Sequence, residues 1–209
     1  MDNLVVIGGG GHAKVLVSVL KKCGYHILGY TDIRDRGRVL GVPYLGNDDA
    51  LALLVRTYDR CQAIVGVGKT DASTERIGLQ ERISALGFAF PVLVSPQAVV
   101  NEGVELGSGT VVFDGVVVNS GTVTGDCCIL NTNCTVEHDS RLGDNVHIAP
   151  GATLSGGVRV GANTMVGTGA IVVQNVSIVA NCLIGAGSAV LGDITEPGTY
   201  AGSPSRRIG

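Results

Sequence analysis

The chain has 209 residues, enough for one large domain or two small ones that each bury a core. Hydrophobic content is 45%, aromatic content is 4% with no Trp, and the formal net charge is −3. With no basic block and no apolar run of about 18 residues, neither nucleic-acid binding nor membrane insertion is expected.

The first 95 residues alternate short apolar strands with amphipathic helices. Residues 3–7 (NLVVI) read as a strand, followed by Gly8, Gly9, Gly10 and Gly11 and then a helix over 12–23. Residues 25–32 form a second strand, and 47–55 a helix capped by Asn47 or Asp48. A third strand spans 62–67, a longer helix 72–86 carries the face Ile77, Ile83 and Leu86, and 88–94 closes as a strand. This order predicts a small Rossmann-like parallel α/β domain over 1–95, ending at Ser95-Pro96.

The glycines carry the chemistry of that half. Gly8-x-Gly10-x-x-Ala13 joins a strand to a helix, and Asp32 ends the next strand. Backbone N–H groups at a helix start hold a diphosphate, and an acid after the second strand accepts ribose or base hydrogen bonds. The pattern specifies a nucleotide diphosphate more than it specifies NAD, since only one such half is present. His12 opens the helix as a ligand contact or a plain helix-start histidine. Gly68, after the third strand, is a second place where backbone can approach a ligand closely.

From Val100 to Val190 an aliphatic residue returns at every sixth position, broken only by Thr124. Two positions before each stands a small or β-branched residue, such as Thr110, Cys128, Ser140 or Ala152. A period of six suits a coil whose flat faces each hold one short strand and one inward side chain. Glycines after the aliphatic position (Gly107, Gly125, Gly143, Gly161, Gly167, Gly185) are expected at corners with unusual dihedrals. Residues 96–209 are thus expected to form a parallel β-helix of hexapeptide repeats with a short tail.

The six cysteines show no metal spacing, and three of them (Cys128, Cys134, Cys182) occupy the small hexad position. Reduced thiols, no metal and a cytoplasmic protein are expected, in keeping with the acidic start Met1-Asp2-Asn3. Within the repeats, His138 lies in Val136-Glu137-His138-Asp139. A neutral imidazole suits proton abstraction, and a carboxylate on its other nitrogen would fix the tautomer. An Asp139 contact needs a bend at this point, Glu137 is the rival orienter, and a surface histidine beside acids is the bland alternative.

Taken together, VIGGGGHAKV at the start, VGVG in mid-domain, the hexads, the 131–139 segment, HIAPGA at 147–152 and the terminal AGSPSRRI carry a family resemblance. The chain resembles two-domain hexapeptide-repeat acyltransferases that include sialic acid O-acetyltransferases and N-acetyltransferases of nucleotide-linked 4-amino-6-deoxysugars. That resemblance implies a left-handed β-helix, a homotrimer, acetyl-CoA as donor and His138 as general base supported by Asp139. It implies nucleotide-sugar contacts at Gly10, Gly11, His12, Asp32, Ile33 and Gly68, with Asn131 near the acceptor. It places His147, Thr168 and Ala186 against acetyl-CoA, and Gly156 as a backbone donor to the thioester oxyanion. Ala186 stands where some relatives have glycine, which is harmless only at negative φ. Arg206 and Arg207 reach either the CoA phosphates or solvent. The expected reaction is N-acetylation of a UDP-linked 4-amino-4,6-dideoxysugar. Alternatives are a GDP-linked (perosamine-type) sugar, sialic acid O-acetylation, and a non-enzymatic trimeric scaffold that senses a nucleotide.

Overall fold

The computed structural model describes residues 3–58 and 60–208. One compact unit runs to Gly68 and resumes over Glu75–Pro96; the other comprises Lys69–Thr74 and the chain from Gln97 onward.

In the first unit the elements are β1 (Asn3–Ile7), α1 (Gly11–Lys22), β2 (His26–Thr31), α2 (Leu51–Thr57), β3 (Gln62–Val65), α3 (Glu75–Ser84) and β4 (Leu93–Val94). Strands β2, β1 and β3 lie side by side in that order, all parallel. Central β1 has Leu4, Val5, Val6 and Ile7 all buried, as a strand covered on both faces requires. Helix α1 packs through Ala13, Leu16, Val17 and Leu20, a three-and-four spacing that makes one apolar stripe. Asn47 caps a short 3₁₀ turn (Asp48–Ala50) ahead of α2, its side chain accepting from the Asp49 N–H.

Two expectations change here. Residues 88–94 add no full strand to this sheet: only Ala89 bridges to Gln62, and Pro91 lacks the N–H that continued pairing needs. The helix expected over 72–86 begins only at Glu75, because the Asp71 carboxylate takes the Ser73 N–H in a tight turn. Its buried face is Arg76, Leu79, Gln80 and Ile83, whereas Leu86 is exposed.

The second unit is a parallel β-helix. Thr135 pairs with Val117 on one side and Thr153 on the other, eighteen residues away each time. Three hexads therefore make one turn. A typical turn contributes one two-residue strand to each of three sheets, such as Arg141–Leu142, His147–Ile148 and Thr153–Leu154. The inward aliphatic positions from Val112 to Val190 are all buried, Thr124 included, and so are the small positions beside them. Val100 and Leu106, at the open first turn, are only half-buried.

The corners are not where the glycines after the aliphatic residue suggested. The positive φ angles recur at every sixth position from Gly103 to Gly187, between 56° and 75°, through Gly121, Asn133, Asp139, Asn145, Gly157 and Asn163. Glycine, Asn and Asp tolerate that region, and Cys127 is the one departure in this series. The glycine column after the aliphatic residue answers a different need. A Cβ on Gly107 would fall 2.2 Å from the Gly125 carbonyl oxygen, so successive turns stack too closely there for any side chain.

Candidate active site

At the carboxyl ends of the first unit's strands, a cleft of about 430 Å³ is lined by Gly8, Thr31, Asp32, Ile33, Arg36, Asp48, Val67, Glu75 and Arg82, among others. The four glycines at its edge divide by role. Gly8 takes φ +101°, and a Cβ on Gly9 would fall 2.3 Å from the Tyr30 ring. Those two are explained by the fold. Gly10 and Gly11 are not: a Cβ on either meets no atom within 4 Å. Gly10 is the N-cap of α1, with no side-chain cap, so the open space lies at a helix N-terminus. Backbone N–H groups and bare glycines there suit an anion that approaches the main chain.

Asp32 is held by three donors. Its carboxylate accepts from the Gly9 N–H at 2.9 Å, the Arg34 N–H at 3.1 Å and Arg36 Nε at 2.8 Å. Burial pushes this carboxyl up, but the Arg36 bond, the two N–H groups and the Arg36 charge outweigh it and hold it below the ordinary value. A carboxylate accepts about four hydrogen bonds, so these three donors leave room for one more. Ile33 beside it is 94% exposed, an apolar side chain presented to the cleft. Gly68 packs on His12: a Cβ there would lie 3.4 Å from the His12 Cβ. The cleft thus gathers Asp32 and Ile33, while Gly10, Gly11, His12 and Gly68 stand on the adjoining turns.

Sequence reasoning missed Arg36, Asp48 and Arg82. Arg36 lies four residues after Asp32 and was legible as a local pair. Asp48, bonded to the Thr31 hydroxyl and 3.6 Å from Arg82, depends on long-range packing that no local pattern reports.

On the β-helix, the bend that a His138–Asp139 contact requires is present. Asp139 occupies a corner with φ 59°, and its Oδ2 lies 2.8 Å from His138 Nδ1. Glycines of the flanking turns seat the pair: a Cβ on Gly121 would fall 2.7 Å from Asp139 Oδ1, and one on Gly156 2.6 Å from His138 Nε2. A carboxylate only accepts, so Nδ1 donates the hydrogen, and in the neutral imidazole Nε2 keeps its lone pair. His138 is 64% exposed, which leaves that lone pair accessible. Glu137 does not orient the histidine; its carboxylate accepts from Asn119 Nδ2 at 2.8 Å.

His147 is set differently. Its Nδ1 donates to the Lys69 carbonyl at 2.9 Å and its Nε2 accepts from Asn131 Nδ2 at 3.1 Å, so both ring nitrogens are engaged. Asn131 is in turn fixed by the Thr132 N–H on its Oδ1. Thr168 and Ala186 stack one turn apart on a common edge, where the Gly187 N–H reaches the Thr168 carbonyl at 2.8 Å. The positive φ of that corner belongs to Gly187, so Ala186 is unstrained. His138 and Gly156 occupy another edge, with the Gly157 N–H on the His138 carbonyl. One chain therefore separates the histidine edge from the Thr168–Ala186 edge by a full face.

Four of the cysteines are disfavoured as thiolates. Burial pushes Cys128 and Cys134 up to about 12, and Cys61 and Cys182 upward as well. Among the described residues no group of His, Cys, Asp or Glu is placed to hold a metal ion. No described helix is long and apolar enough to cross a membrane. At the tail, Arg207 is tied to Glu196 at 2.7 Å, whereas Arg206 lines a second cavity with Tyr200, Ile194 and Leu191.

Two family descriptions match the chain: the PglD N-terminal domain over residues 3–74 and the bacterial transferase hexapeptide (six repeats) over 121–156. No curated protein matches it. Among solved structures, the acetyltransferase domain of PglB from Neisseria gonorrhoeae is 36% identical, with both chains covered completely and a TM-score of 0.92. That domain is also known in complex with acetyl coenzyme A, at 37% identity, 99% and 98% coverage and a TM-score of 0.90. PerB from Caulobacter crescentus, in complex with CoA and GDP-perosamine, is 36% identical over 100% of this chain and 98% of that one, with a TM-score of 0.93. WeeI from Acinetobacter baumannii, at 21% identity and a TM-score of 0.89, shares the fold.

Proposed function

The chain belongs to the hexapeptide-repeat N-acetyltransferases of the bacillosamine and perosamine type, and we propose that it acetylates the 4-amino group of a nucleotide-linked 4-amino-4,6-dideoxysugar. It is an acetyl-CoA-dependent sugar N-acetyltransferase. The observation that carries the reaction is the exposed His138–Asp139 pair, in which Asp139 engages Nδ1 and leaves Nε2 for the substrate amine.

In this reading the amine attacks the thioester carbonyl directly while His138 Nε2 takes its proton. Asp139 steadies the imidazolium that forms. Collapse of the tetrahedral intermediate forms the amide, expels the CoA thiolate and returns the proton to it. The Gly156 main chain, against the imidazole, supplies an N–H to the oxyanion. The buried, high-pKa thiols of Cys128 and Cys134 favour direct attack over an acyl-enzyme on the β-helix. Thr168 and Ala186 contact acetyl-CoA through main chain, with His147 held by Lys69 and Asn131 against the same cofactor. Because those residues occupy a different edge from His138, a complete site draws its two edges from neighbouring chains. A homotrimer supplies that arrangement at each of three equivalent interfaces.

The first unit reads the nucleotide: Gly10, Gly11 and His12 at the diphosphate, Asp32 at the ribose, Ile33 and Gly68 along the ligand. UDP is the nucleotide expected from the family resemblance. A GDP-linked sugar is the second reading, favoured by the GDP-perosamine bound to the Caulobacter relative. Purified protein assayed for thiol release from acetyl-CoA against UDP-, GDP- and CMP-linked sugars, with and without a 4-amino group, tests both. Release confined to 4-amino nucleotide sugars is expected. Release with sialic acid alone, or with no acceptor in the panel, would overturn the reading.

A further inference from the structure

Helix α3 begins Glu75-Arg76, and Arg76 is buried to 2% exposure, the bulkiest side chain the described fold encloses so fully. A guanidinium is costly to remove from water, so its hydrogen bonds deserve a physical reason. Its Nη1 donates to the Val65 carbonyl at 3.1 Å and also to the Val67 carbonyl. Val65 ends β3, and Val67 is the middle of the turn Gly66-Val67-Gly68. This turn is flanked by glycines and has wide backbone freedom of its own.

The turn is also packed against the glycine loop. The Gly66 N–H bonds the Ile7 carbonyl at 2.7 Å, and a Cβ on Gly66 would fall 2.8 Å from the Gly8 carbonyl oxygen. From the other side, a Cβ on Gly8 would fall 3.0 Å from Val67 Cγ2. The two turns that frame the nucleotide cleft therefore touch without slack, and Arg76 clamps one of them from behind.

Resting on the nucleotide reading above, we propose that Arg76 is a positioning residue that fixes the Gly66–Val67–Gly68 turn, and through it the Gly8 loop, in the geometry that binds the nucleoside diphosphate. Arg76 does not line the cleft; it acts by holding two carbonyls. Removing its donors frees a Gly-flanked turn to sample other conformations, and the ligand must then select the competent one.

Calorimetric titration of UDP and GDP into the full-length protein, alongside steady-state kinetics, tests this. Arg76→Met is expected to weaken nucleotide affinity about tenfold or more, and Arg76→Lys, which keeps a donor but not the fork, about threefold. In both, KM for acetyl-CoA and kcat at saturating sugar nucleotide should stay near the wild-type values. Nucleotide affinity in Arg76→Met equal to wild type overturns the proposal and leaves the function standing. If Arg76→Met does not fold, unchanged affinity in Arg76→Lys overturns it. A parallel rise in both KM values also does so, since that marks general damage. Wild-type protein that binds neither nucleotide removes the nucleotide reading and this proposal with it.

Discussion

At the scale of single residues, side chains and glycines act as matched pairs. Gly156 is the seat of the His138 ring, with room for hydrogen only. Gly156→Ala should swing the imidazole from its Asp139 contact and lower kcat about tenfold or more at unchanged thermal stability, measured by thiol release. Asp32 binds Gly9 of the glycine loop, and its carboxyl is held below the ordinary value of about 3.9. A carboxyl depressed in the folded state contributes stability above its unfolded pKa and loses that contribution as pH falls through the folded one. Wild type should therefore lose more stability between about pH 4 and pH 2 than Asp32→Asn does, as denaturant midpoints across that range would show. Equal slopes would mean that the Arg36 and Gly9 contacts contribute nothing to folding.

At the scale of elements, the β-helix repeats one solution and marks its exceptions. Asn145 Nδ2 donates to Asn163 Oδ1, and Asn163 Nδ2 to Asn181 Oδ1, a ladder climbing one corner turn by turn. Its lower end is incomplete: Asn145 Oδ1 is buried without a partner, and the residue one turn below is Cys127, at φ 58°. Cys127→Asn should relieve the left-handed strain, donate to that oxygen and raise stability by about 1 kcal/mol, visible as a higher melting temperature. A lower melting temperature would mean that the Cys127 site has no space for the amide. The hexads were legible because each turn pairs with the next at a fixed eighteen-residue offset, which writes the fold into a local period. The corners were misassigned because two glycine columns coexist, one for positive φ and one for close stacking. The Asn series at 133, 145, 163, 175 and 181 separates them, since asparagine tolerates the corner but not the stack. Arg76 was passed over on α3 because a charged residue on an amphipathic helix normally faces solvent, and only its carbonyl partners explain its burial.

At the scale of the whole molecule, the architecture was legible in the sequence, but how the parts of the candidate site complete one another was not. The dyad and the Thr168–Ala186 edge belong to different corners of one prism. A trimer in solution is the expected consequence, and light scattering that reports a single chain at working concentration would contradict it. The proposed reaction depends on one lone pair, Nε2 of His138. The decisive measurement is acetyl-CoA thiol release by His138→Ala, at saturating 4-amino nucleotide sugar and matched thermal stability. A fall in kcat of about 10²–10⁴-fold is predicted for loss of a general base, whereas turnover at the wild-type rate would show that the proton leaves by another route.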